Sequence, residues 1–150
     1  MRFGSKITIC ITLLLALVFG LGGSVLISSA FDQAVERERT NAMSSHQLVL
    51  YALNSVSASS SVSNYEHFKS ALSQLDSQNY HTWKSLRLTS GDEIIYRSDF
   101  SYFSNEPMNI SDEDVWVSVI LEYNGMYFMQ ITSQFSVNDD VFYLDGLYDI

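Results

Sequence analysis

The stretch from Ile7 to Ala30 runs for 24 residues without a charge, and no other feature of the 150-residue chain constrains it as much. As a helix rising about 1.5 Å per residue it spans about 36 Å, more than the ~30 Å hydrocarbon core of a bilayer. Secretory signal peptides carry apolar stretches of only about 7–15 residues, so length favours a retained anchor. Two features pull the other way. Ser28-Ser29-Ala30 puts small residues where a signal peptidase reads, and Gly20, Gly22 and Gly23 weaken the second half as a helix. Cleavage after Ala30 is therefore the alternative, and it gives a secreted binding or structural module. Arg2 and Lys6 are the only charges ahead of the run. By the positive-inside bias they place residues 1–6 in the cytoplasm and everything beyond residue 30 outside it.

Beyond Ala30 the chain holds six basic and all seventeen acidic residues, a net charge of −11. Such a surface repels phosphate backbones, which argues against nucleic acid as a partner. The single cysteine, Cys10, lies inside the apolar run. No disulfide can form within the chain, and the exported part must hold together by packing alone.

Residues 31–62 read as a juxtamembrane stalk helix followed by a serine-rich connector, and 63–150 as a small α+β domain. Val35, Ala42, Val49 and Val56 recur every seven residues, with Phe31 and Ala52 on the neighbouring seam and Glu38 and Ser45 at the companion positions. The stripe has two readings: a homodimer seam, or a face packed on the chain's own domain. Ser63 and Glu66 make a capping-box pattern that starts a second helix, to about Leu75. Residues 83–98 hold two strand-like runs around Ser90-Gly91-Asp92. In 115–135 two β-rich runs flank Asn124-Gly125, the dipeptide preferred by type I′ hairpin turns. A two-residue turn there sets Leu121 opposite Phe128 and Ile120 opposite Met129, as a pair of inner strands. The run from Asp140 to Ile150 adds another strand, which makes about five with the helices in front.

Catalytic chemistry is not visible. No phosphate-binding loop, nucleophile elbow or dinucleotide glycine pattern is present. His46, His67 and His81 have no acidic or cysteine partner at ligand spacing, so they read as surface or helix-face residues. Asp112-Glu113-Asp114 and Asp139-Asp140 read as solubilising or capping clusters before cation ligands. The aromatics Tyr96, Phe100, Tyr102, Phe103, Trp116, Tyr127 and Phe128 have two readings, the lining of a small-ligand pocket and core packing, and core packing explains most of them. No catalytic, metal or cofactor-binding residue is assigned, and no cofactor is expected.

A short basic start, one spanning helix, "FDQAVERERTNAMSSHQLVLYAL" leaving the membrane and a closing "FYLDGLYDI" together resemble the extracytoplasmic input end of bacterial sensor histidine kinases. The resemblance is one of layout and covers essentially the whole chain. It implies a PAS- or Cache-like antiparallel sheet behind a transmembrane helix (7–30), single-pass in the cell membrane, taking an unknown small ligand or protein as stimulus. The chain shows no second membrane helix, phospho-accepting histidine box or ATP-binding domain, so the expectation is an input portion without the kinase core and without enzymatic activity. His46 does not match the histidine box, because no acidic residue follows it.

Overall fold

The computed structural model describes residues 3–59, 65–78, 82–98, 102–103, 110 and 116–150. It divides into two compact units, residues 1–37 and Glu38–Ile150. Helix α1 (Phe3–Ser59) contributes to both.

In the first unit α1 is apolar on every side, and none of that surface is covered: Leu13, Leu14, Leu17, Phe19, Leu26 and Ile27 all stand exposed. A helix hydrophobic all round is stable only where lipid or another apolar surface surrounds it. It is long and apolar enough to cross a membrane, and a signal sequence near an N-terminus meets the same description. The helix runs unbroken through Gly20, Gly22 and Gly23. Each glycine costs about 1 kcal/mol relative to alanine, and the leucine- and isoleucine-rich residues around them carry the helix across.

The second unit is a five-stranded antiparallel sheet with helices on one face. Helix α2 (Tyr65–Asp76) has Glu66 in its first turn, where a carboxylate suits the helix dipole. Ser63, expected to cap it, lies outside the described residues. Strands β1 (Trp83–Ser90) and β2 (Glu93–Arg97) close through Gly91, whose φ of 58° suits a residue without Cβ. Strands β3 (Trp116–Tyr123) and β4 (Met126–Val137) are joined by Asn124 and Gly125 at φ 53° and 76°, the type I′ geometry expected. Leu121 pairs with Phe128 and Ile120 with Met129, again as expected. Strand β5 (Asp140–Asp149) follows a second such turn, with Asn138 and Asp139 at φ 52° and 70°.

The strand order is β2-β1-β5-β4-β3. The last strand in sequence is thus the middle strand of the sheet, and β3 is an edge strand rather than an inner one. Ile120 is accordingly 58% exposed. Side chains alternate between the two faces. On the helix-covered face, Leu86, Leu88, Phe142 and Leu144 meet Val49 and Leu53 of α1 and Phe68 and Leu72 of α2. Phe68, Phe135 and Phe142 interlock with ring centroids 5.2–5.9 Å apart. Burying each such side chain contributes roughly 1.5–3 kcal/mol.

Of the two readings for the seven-residue stripe, packing on its own domain is what these residues do. Ala42 and Val49 are 4% and 1% exposed against the chain's own sheet, and Val56 packs on the same core. The companions are not Glu38 and Ser45 but His46 and Leu53, four residues after Ala42 and Val49 rather than three. Val35, at 36% exposure, belongs to the first unit. The compact unit that contains the sheet therefore begins at Glu38, and its core includes helical residues expected to form the stalk.

Candidate functional site

Two polar clusters sit back to back through strands β4 and β5. On the face away from the helices, Arg87 of β1, Asp145 of β5 and Thr132 of β4 lie side by side in the ladder. Arg87 Nε donates to Asp145 Oδ2 at 2.7 Å. Thr132 Oγ1 donates to Oδ1 of the same carboxylate, and Gln130 Nε2 reaches it at 3.4 Å. Asp145 is 4% exposed. Such a carboxylate is tolerated away from water because a guanidinium and hydroxyl and amide donors surround it. The Arg87 guanidinium also stacks over the Phe103 ring, 4.5 Å from its centroid. Phe103, Phe128 and Leu147 bury together beside this group. Ser85, which pairs with Leu147 in the ladder, has a buried hydroxyl without a hydrogen-bond partner among the described residues.

On the helix-covered face the polar cluster is built around His46. Its Nδ1 lies 3.0 Å from Tyr148 Oη and its Nε2 2.8 Å from Ser133 Oγ. One helix residue is thus tied to β5 and to β4 at once. The ring meets Tyr148 edge-on, with centroids 6.1 Å apart. Gly146 makes the arrangement possible. A Cβ on it would sit 2.6 Å from Tyr148 Oη and 2.8 Å from His46 Nδ1. Burial pushes the imidazole down to about 4 from its ordinary 6.5, and pushes the Tyr148 hydroxyl up. A cavity of about 40 Å³ lies beside the ring, lined by Met43, Gln47, Leu50, Trp116, Ile131 and Ser133.

Asp145 and Gly146 are neighbours in β5, as Thr132 and Ser133 are in β4. In each pair the first residue belongs to the outer cluster and the second to the contact with α1.

His46 is a buried helix-face residue and not a surface one; His67 is exposed on α2. His81 lies outside the described residues, as do Phe100 and Asp112-Glu113-Asp114. Asp139 shapes the second primed turn and Asp140 opens β5. The described aromatics do not converge on one pocket. Tyr96 Oη donates to Asp76, which also accepts from Trp83 Nε1 and so ties the end of α2 to the sheet. Tyr102 stacks on Tyr123, Trp116 borders the cavity beside His46, Phe103 and Phe128 are buried on the outer face, and Tyr127 is exposed. Among the described residues no three histidine, cysteine or acidic side chains gather as a metal site. Sequence reading missed Arg87, Asp145, Gln130, Thr132, Ser133, Gly146 and Tyr148. The available signal was polar residues interrupting apolar strands, in "MQITSQF" and "YLDGLY".

No known protein family matches the chain, and neither a curated protein nor a solved structure is similar to it.

Proposed function

We propose that the chain is a membrane-tethered, extracytoplasmic sensory input module of a two-component signalling protein, with a PAS- or Cache-like sheet. The observation that carries this reading is the back-to-back arrangement of Asp145 with Gly146 and of Thr132 with Ser133. A ligand engaging the outer cluster displaces two strands whose opposite faces hold His46, and so biases the position of α1. The same helix contains the apolar run that enters the membrane, which gives a displacement somewhere to go. Three further features support the reading. A five-stranded antiparallel sheet of order β2-β1-β5-β4-β3 with two helices ahead of it is the α+β layout that this reading requires. Arg87, Asp145, Gln130 and Phe103 gather both charges, an amide and an aromatic ring in one largely buried cluster on the outer face of the sheet. The Ser85 hydroxyl, buried beside them, has no hydrogen-bond partner among the described residues and can donate to an added group. The stimulus is a small polar molecule or a protein group that presents one.

The first test is retention. The chain is expressed in a bacterium with a C-terminal tag, and the cells are fractionated. The expected product stays with the membrane and resists carbonate extraction. A soluble exported product beginning at Phe31 replaces this reading with that of a secreted module, which Ser28-Ser29-Ala30 would then explain.

A further inference from the structure

His46 occupies an unusual place for a titratable group. It is 2% exposed, it sits on the helix, and both ring nitrogens bond to different strands of the sheet. In a neutral imidazole one nitrogen donates and the other accepts, so one of the two hydroxyls points its proton at the ring. Adding a proton makes both nitrogens donors. The hydroxyl that was donating must then swing its proton away, toward surroundings that are mostly apolar.

Among the described residues no charged group borders the ring to offset the added charge. From β4 the ring meets Ser133, from β5 Tyr148 and the space over Gly146, and from β3 Trp116 across the cavity of about 40 Å³. Met43, Gln47 and Leu50 line that cavity from its own helix. Tyr148 is the one titratable group among these, and it stays neutral. The carboxylates of Glu38 and Asp149 line a separate groove that also has Tyr148 in its wall, and Asp149 is paired with Lys84 at 3.8 Å. A buried imidazolium would therefore lack a counter-ion among the described residues, and one hydroxyl proton would lose the ring nitrogen that accepted it.

We propose that protonation of His46 releases helix α1 from strands β4 and β5, so that the seam works as an acid-sensitive latch. Protons taken up from the medium are the ligand. They bind the open seam, where the ring is solvated, in preference to the closed one. The population of the open seam rises as pH falls between 6.5 and about 4, where the closed ring finally titrates, approaching tenfold per unit only in the middle of that range. The latch is a property of the folded unit; the sensory reading above supplies its output.

Hydrogen exchange of the full chain in detergent micelles tests it, with protection factors corrected for the intrinsic pH dependence of exchange. Between pH 6 and pH 5 the protection of residues 43–53 is expected to fall about tenfold in the wild type and to stay flat in His46→Gln. In parallel, NMR follows the wild-type imidazole rings, which needs no substitution and decides the matter if the variant fails to fold. The His46 ring is expected to remain neutral at pH 5.5. A His46 ring that titrates at its ordinary 6.5, or an equal loss of protection in His46→Gln, overturns the latch. A latch that responds to acid in a chain found to be secreted removes the tether and leaves this proposal standing.

Discussion

Gly146 of β5 and His46 of α1 approach so closely that a Cβ on the glycine would lie 2.8 Å from His46 Nδ1. The strand needs this glycine for space, since its backbone is not in the left-handed region where glycine is favoured for its conformation. Gly146→Ala must push apart a fully buried tyrosine and a histidine that are hydrogen-bonded to one another. Overpacking of this kind costs roughly 1–3 kcal/mol. The melting temperature of the chain in detergent is expected to fall by about 5–10 °C. An unchanged melting curve would show that the seam has slack.

Stability should depend on pH with a definite sign. The His46 pKa is depressed on folding, from 6.5 to about 4, so between those values the unfolded chain binds more protons than the folded one. This contribution is fully present above pH 6.5 and is lost as pH falls toward 4. Between pH 6.5 and 5 the loss is roughly 1–2 kcal/mol, the slope reaching 1.36 kcal/mol per unit only once the unfolded imidazole is fully protonated. Chemical denaturation at the two pH values checks this against His46→Gln, which should lose markedly less.

The outer cluster predicts an asymmetry. Arg87→Met leaves Asp145 buried without its cation and is expected to cost roughly 2–3 kcal/mol, reduced from the full value because the arginine side chain is 22% exposed. Arg87→Met combined with Asp145→Asn should recover part of that loss, since the stranded charge is gone. A double variant less stable than Arg87→Met would mean that Asp145 supports the sheet through Thr132 and Gln130 more than through the ion pair.

Gly125→Val places a β-branched residue at φ 76° in the β3–β4 turn. The left-handed conformation costs such a residue roughly 1–2 kcal/mol or more. A drop of about 5–10 °C in melting temperature is expected. Gly125→Asn, which tolerates the same dihedral angles, should be nearly neutral.

What the sequence disclosed follows the range over which each constraint acts. Asn124-Gly125 fixes its turn within two residues, so the hairpin and its register could be read directly. The seven-residue stripe on α1 was visible for the same reason, but the choice between companions at three or four residues depends on what the helix packs against. That choice brings His46 into the seam instead of Ser45. The partners of His46 lie 87 and 102 residues away. No local pattern announces a contact at that separation. Asp145 and Arg87, 58 residues apart, were hidden in the same way. The asparagine and aspartate of the second primed turn lack the glycine that would have marked it.

The position of β5 has a consequence for how the chain is made. Strands β1 and β2 form one hairpin and β3 and β4 another, and only β5 joins them. About fifty residues separate the end of β2 from the end of β5, which at 5–20 residues per second is roughly 3–10 s of synthesis. Throughout that interval β1 presents an unpaired edge, β4 adds a second once it is made, and the helices have half a sheet to cover. The nascent domain therefore waits, aggregation-prone, for its final strand. A ribosome stalled before residue 140 leaves two hairpins and no domain.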